Sequence, residues 1–303
     1  AIEVARIHHA PGSAPPVLVA RSDHYADALA GAVLARAVGG PVLLSPQTGL
    51  DDRGDVAAFI TELGSTTAYV LGGEAALGPQ VEADLRAAGI TTIERVAGPD
   101  RFATAHRLAE EATGGAATSA YLVEGANADP ARGWPDALSV SPLAAAEGRP
   151  ILLVTRDALP AETAQAIADL GITDVTVVGG ELAVAPTVVD QLEAAGARVG
   201  PRLSGESRYA TSAAVARAAV DAGAAADRAW FATGLNFPDA LVAGPAVAAD
   251  GGVMLLLHGH DVTGAAEALA WLDEHAPMQV VRVLGGPGAV SEEVVAAIDA
   301  RLP

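Results

Sequence analysis

Lysine and cysteine are both absent from this 303-residue chain, and aromatic residues make up only 4% of it. Without lysine there is no P-loop lysine, no Schiff-base amine and no kinase-type lysine. Without cysteine there is no thiol nucleophile, no disulfide and no thiolate metal site. The missing cysteine does not fix a compartment, because disulfide-free proteins occur on both sides of a membrane. Apolar runs of about eighteen residues are missing too, so no segment reads as a membrane-spanning helix. No signal peptide is visible in the chain. Positive charge is scarce: 18 basic residues, all arginine, stand against 37 acidic ones, for a net charge of −19. Polyphosphate backbones are held by clustered cations, so nucleic acid is excluded as an expected partner. The acidic surface keeps an alanine-rich chain dispersed.

What the chain has is a hydrophobic content of 51%, enough for two or three cores, and an internal repeat. Tyr25-Ala26-Asp27-Ala28-Leu29 recurs as Trp134-Pro135-Asp136-Ala137-Leu138 and as Phe237-Pro238-Asp239-Ala240-Leu241. At a constant distance beyond each Asp lies Pro41, Pro150 or Val253, opening the apolar runs Val42-Leu43-Leu44, Ile151-Leu152-Leu153 and Met254-Leu255-Leu256. Leu71-Gly72-Gly73, Val178-Gly179-Gly180 and Leu284-Gly285-Gly286 follow in the same order. A fourth block, R-x-x-G-x-x-R, occurs twice, from Arg95 to Arg101 and from Arg202 to Arg208. The repeats divide the chain at 1–94, 95–201 and 202–303. The first lacks the R-x-x-G-x-x-R helix, since only the Pro/Gly/Ser-rich stretch Ala10 to Pro16 precedes its first strand.

Within the first repeat the pattern alternates. Strands are expected over 17–20, 42–45, 69–71 and 92–96. Helices are expected from Asp27 to Val38, stopped by Gly39-Gly40-Pro41, from Asp52 to Leu63, and from Pro79 to Ala88. Continuous apolar strands alternating with helices imply a parallel sheet covered on both faces. The fold class is therefore α/β, as three tandem three-layer units with mainly parallel sheets.

These ordered blocks resemble the cell wall binding repeat 2 family of Gram-positive surface proteins, whose pattern runs R-x-x-G-x-x-R-Y-x-T-A, F-P-D-A-L, P-I-L-L and a strand ending in G-G. Arg202 to Ser212, Phe237 to Leu241, Pro150 to Leu153 and Leu284 to Gly286 carry the likeness, which covers nearly the whole chain. The resemblance implies a pseudo-threefold triangle of repeats in a single chain, a monomer with internal symmetry. It implies non-covalent attachment to an anionic or neutral cell-wall polymer, an extracellular wall-associated location, and no catalysis by this part. Two other roles stay open: a wall-glycan hydrolase with its site at a repeat junction, and a structural or adhesive surface-layer protein.

Asp27, Asp136 and Asp239 are expected to favour a helix start, capping free N–H groups. Tyr25, Trp134 and Phe237 before them read as hydrophobic staples, or as a sugar-binding shelf. Arg101 and Arg208 open helices at the end that repels cations, so each needs a partner. Pairing of Arg101 with Asp136 and of Arg208 with Asp239 would supply one. The rival partner is a phosphate of the wall polymer. Arg95 and Arg202 are candidates for the same site. Gly72, Gly73, Gly179, Gly180, Gly285 and Gly286 read as tight turns at positive φ. The G-x-G-x-x-G, G-x-S-x-G, H-E-x-x-H and EF-hand patterns are all missing, so no cofactor or metal is expected. His258-Gly259-His260 is a pair without further ligands in its surroundings.

Overall fold

A computed structural model describes residues 1–50 and 53–302. The first unit runs α1 (Ile2–Arg6), β1 (Val17–Arg21), α2 (Gly31–Val38), β2 (Val42–Ser45), α3 (Asp55–Leu63), β3 (Thr67–Leu71), α4 (Pro79–Ala87) and β4 (Thr92–Val96). The second runs α5 (Arg101–Thr113), β5 (Ser119–Ala126), α6 (Pro135–Glu147), β6 (Ile151–Thr155), α7 (Ala161–Leu170), β7 (Asp174–Val177), α8 (Pro186–Ala194) and β8 (Arg198–Val199). The third runs α9 (Arg208–Asp221), β9 (Arg228–Thr233), α10 (Pro238–Asp250), β10 (Val253–Leu257), α11 (Ala266–His275), β11 (Val280–Val283) and α12 (Glu292–Asp299).

Each unit builds one parallel sheet in one order: β2-β1-β3-β4, β6-β5-β7-β8 and β10-β9-β11. The register matches too, with Leu18 opposite Val42, Tyr121 opposite Ile151 and Trp230 opposite Met254. Strand alternation splits the side chains between two cores. Leu18 and Ala20 of β1 face the shared centre of the molecule. Val17 and Val19 face outward onto Phe59, Ile60 and Leu63 of α3 and Val81 and Leu85 of α4. Burying each of these large side chains stabilises the fold by about 1.5–3 kcal/mol. β5 repeats the arrangement, with Tyr121 and Val123 inward and Leu122 outward.

At the centre, α2, α6 and α10 pack on one another. Ala32, Ser141 and Gly244 hold equivalent places there; a Cβ on Gly244 would stand 2.4 Å from Ser141 Oγ and 3.1 Å from Ala32 Cβ. Small side chains at this point let the three helices meet. The first helix of each unit then lies on the central helix of the preceding unit: α5 on α2, α9 on α6, and α1 on α10. The ring of three is closed.

Three expectations are corrected, and a fourth lies outside the described residues. The first unit does have a helix at the place of α5 and α9, the short α1, held by buried Ala5 and by Val4 packed against the central core; it lacks only the R-x-x-G-x-x-R sequence. The helix expected from Asp27 begins at Gly31. Pro135 and Pro238 set φ for the first helical residue of α6 and α10, and Ala26 at the matching place does not. The expected start of the next helix at Asp52 lies outside the described residues. Finally, β4 continues to Val96 with Val70 opposite Arg95, so the division at 94/95 falls inside a strand.

Candidate functional site

The R-x-x-G-x-x-R block straddles two units. Its first arginine belongs to the earlier one: Arg95 donates to the Gly72 carbonyl at 2.8 Å, and Arg202 to the Gly179 carbonyl at 2.7 Å. Its second arginine opens the next unit's first helix and donates to a strand-end carbonyl, Arg101 to Gly125 and Arg208 to Gly234, each at 2.7 Å. Asp100 caps α5 by accepting from the Phe102 and Ala103 N–H groups, and Ser207 caps α9 by accepting from Ala210. These caps start both helices one residue before the arginine and so aim it.

The expected pairs Arg101–Asp136 and Arg208–Asp239 do not form. Because α5 lies on α2 and α9 on α6, each arginine faces the preceding unit. The Arg101 guanidinium lies 5.8 Å from the Tyr25 ring centroid, and that of Arg208 lies 5.2 Å from the Trp134 ring. Arg208 also donates to the Ala131 carbonyl at 2.9 Å. Two carbonyls and a ring face offset the unfavourable helix end.

The three aromatics pack against one another. Phe237 meets Tyr25 edge-on at 5.7 Å and Trp134 at 6.4 Å, forming one cluster where the units converge. Trp134 is 2% exposed and Tyr25 8%, so neither offers a ring face to a sugar. Their polar atoms are satisfied within the protein, Trp134 Nε1 by the Pro130 carbonyl and the Tyr25 hydroxyl by the Arg132 carbonyl.

The three aspartates do not cap helices. Instead each carboxylate lies against the first glycine of its own unit's Gly-Gly turn. A Cβ on Gly72 would stand 2.8 Å from Asp27 Oδ2, one on Gly179 2.2 Å from Asp136 Oδ2, and one on Gly285 2.6 Å from Asp239 Oδ2. These glycines have φ of +103°, +104° and +95°, a conformation that side chains rarely adopt. Gly73, Gly180 and Gly286 have open space and no positive φ. Only the first glycine of each pair is required.

Around Asp136 this arrangement opens into a polar groove between the second and third units, about 510 Å³ in volume. Glu124, Arg132, Asp136, Glu181, Leu182, Glu206 and Arg208 line it. Glu124 is buried at the end of an apolar strand, accepting from Asn127 Nδ2 at 2.6 Å and from Arg132 at 3.4 Å. Asp136 makes no hydrogen bond or ion pair with its side chain among the described residues. Burial, and then the Glu124 carboxylate, push its pKa up to about 6, against the pull of Arg208, Arg132 and Arg202. Burial lowers the Arg202 guanidinium below its ordinary value, opposed by Glu181 and Asp136. Arg95 is neutralised by Glu82 at 2.8 Å, but the matching residue on α8 is Val189, and Arg202 has no carboxylate partner among the described residues. Leu182 stands 74% exposed on the lip.

The other junctions differ. Where the second unit has Glu124, the first has Arg21, paired with Asp23, and the third has Thr233. Asp239 faces no arginine of the R-x-x-G-x-x-R pattern among the described residues. Sequence reasoning missed Glu124 and Arg132. The signal for Glu124 was present: a carboxylate ending the apolar run Tyr121-Leu122-Val123 needs a reason to be there. His258 Nδ1 accepts from the His260 backbone N–H, His260 Nε2 lies 3.1 Å from the Gly288 carbonyl, and among the described residues neither belongs to a group of three metal-binding side chains.

The Cell wall binding domain 2 (CWB2) family matches at residues 1–82, 95–189 and 202–295. Over 283 residues the chain is 26% identical to the N-acetylmuramoyl-L-alanine amidase LytC of Bacillus subtilis (strain 168), covering 93% of this chain and 52% of LytC. It is 31% identical over 159 residues to the amidase enhancer of the same organism, covering 52% of this chain and 20% of that protein. The chain thus spans about half the length of the first of these relatives and less of the second. Two solved structures share the fold. Cwp8 from Clostridium difficile has a TM-score of 0.81 at 26% identity, with 99% of this chain and 49% of that one covered. Cwp6 from the same organism has a TM-score of 0.82 at 19% identity, with 98% and 45% covered.

Proposed function

The chain belongs to the cell wall binding domain 2 family and is a cell-wall-binding module, and from that premise we propose that it is a non-catalytic anchor gripping an envelope polymer at the junctions between its units. The observation that carries this reading is the groove between the second and third units. Asp136 there is a carboxylate without a partner among the described residues, Arg208 is a cation held only by carbonyls and a ring, and Arg202 is close enough to act on Asp136. A polymer rich in hydroxyls completes such a set, donating to Asp136 and accepting from the guanidiniums. The Leu182 side chain gives the apolar face of a sugar ring a surface to rest on. The location that follows is the outside of the cell, on the wall. No helix among the described residues is long and apolar enough to cross a membrane.

The net charge of −19 opposes an anionic polymer at long range. Glu124, Asp136, Glu181 and Glu206 outnumber Arg132 and Arg208 in the groove lining. Attraction by bulk charge therefore contributes little, and hydrogen bonding to neutral hydroxyls contributes most. Raising salt from about 0.05 to 0.5 M, which screens exposed charges, is expected to weaken wall binding less than about threefold.

A second reading rests on one observation: Asp136, with its raised pKa, beside the buried Glu124 is a carboxylate pair of the kind glycosidases use. LytC is named for an amidase activity, yet this chain spans only 52% of it. Co-sedimentation with purified walls separates the readings. The anchor pellets with walls, ceases to pellet once secondary polymers are stripped, and releases neither sugars nor peptides. Release of soluble fragments would replace the anchor with a hydrolase.

A further inference from the structure

One cluster of metal-binding side chains lies away from the groove, between α5 and α7 of the second unit. His106 and Glu110 stand one turn apart on α5, and Asp169 stands near the end of α7. His106 Nε2 is 3.6 Å from Glu110 Oε1 and 3.6 Å from Asp169 Oδ2. It is buried and has no hydrogen-bond partner. The remaining oxygen of each carboxylate is engaged elsewhere: Arg107 donates to Glu110 Oε2 at 2.9 Å, and Gln165 to Asp169 Oδ1 at 2.6 Å. One nitrogen and two oxygens therefore face one another within 4.8 Å.

We propose that His106, Glu110 and Asp169 bind one divalent transition-metal ion of the zinc class, with at least one coordination position left to solvent. Around a tetrahedral zinc, ligand atoms at about 2.0–2.2 Å from the metal lie about 3.3–3.6 Å from one another. His106 Nε2 already stands near that spacing, 3.6 Å, from each carboxylate oxygen, and all three atoms lie within 4.8 Å of one another. Calcium and magnesium want six or more oxygens, whereas one imidazole with two carboxylates suits zinc, cobalt or nickel. The partners of Glu110 and Asp169 orient the carboxylates as outer-shell groups do in metal sites. The set is not part of the repeat, since Ala213 takes the place of His106 in α9. An ion here would tie α7 to α5, the helix whose first residue, Arg101, reaches the junction of the first and second units.

The test is calorimetric titration of the full chain with zinc chloride at neutral pH. One ion per chain is expected, with His106→Ala and Asp169→Asn each weakening binding at least about tenfold. Asp169 is 44% exposed, so Asp169→Asn reports on a folded protein even if His106→Ala does not. The double variant His258→Ala/His260→Ala is expected to bind as the parent does. Cobalt loading is expected to give the visible absorption of a four- or five-coordinate ion, lost in Asp169→Asn. Absence of zinc binding overturns the proposal, as does binding that survives Asp169→Asn or that only the His258/His260 variant removes.

Discussion

Gly179→Ala is expected to lower the stability of the protein by roughly 3 kcal/mol, while Gly180→Ala changes it by less than about 0.5 kcal/mol. The two glycines are neighbours in sequence and would be taken for one motif. Gly179 has φ of +104°, and its added Cβ would stand 2.2 Å from Asp136 Oδ2, whereas Gly180 has open space. Backbone strain and a collision with a side chain fixed at the start of α6 therefore add at one position only. Chemical denaturation of both variants measures the difference. A double-mutant cycle with Asp136→Ala isolates the collision: the cost of Gly179→Ala should fall by about 1 kcal/mol or more when the carboxylate is gone. Equal costs at Gly179 and Gly180 would show that Asp136 does not press on the turn.

Asp136→Asn is expected to make the protein more stable at pH 7, by roughly 1–3 kcal/mol, and to bind walls at least about tenfold less well. The sign follows from the direction of the shift. The folded-state pKa, about 6, lies above the ordinary value of 3.8, so the folded protein holds the proton more tightly than the unfolded chain. Stability from this group is present at pH below about 4 and is lost as pH rises through about 6. The advantage of the variant should therefore grow across that window and be level above it. Asparagine keeps the shape but removes the acceptor strength that a ligand hydroxyl would use. Melting curves from pH 4 to 8 give the stability, and co-sedimentation gives the binding. A variant less stable than the parent at pH 7 would mean that Asp136 is satisfied in the folded protein and is no vacant acceptor.

The architecture was legible because the repeat aligns apolar runs with one another. Val42, Ile151 and Met254 stand opposite the matching residues Leu18, Tyr121 and Trp230 in three parallel sheets. The residues of the junctions were legible as a set but not as contacts. Arg101 and Arg208 read as cations in need of compensation. Their partners lie in the unit before, because a first helix packs on its neighbour's central helix, and no local pattern records that. Asp136 and Gly179 are far apart in sequence, so their contact appears only when the central helix lies across the strand ends. Trp134 and Tyr25 read equally as staples or as a sugar-binding shelf because a single repeat does not show their burial; the shared core formed by the three repeats does. The set of His106, Glu110 and Asp169 was hidden for the same reason, since only the packing of α5 on α7 brings Asp169 to the other two.

The groove between the second and third units is tested most directly by comparing two arginines on one helix. Arg208, at the start of α9, enters the groove, and Arg217, further along it, is exposed beside Glu274. Affinity for purified walls is to be measured for Arg208→Gln and Arg217→Gln, with melting curves confirming that both are folded. The account predicts a loss of at least about tenfold for Arg208→Gln and none for Arg217→Gln. Equal affinity of Arg208→Gln and the unaltered protein would contradict it and move the polymer to another face.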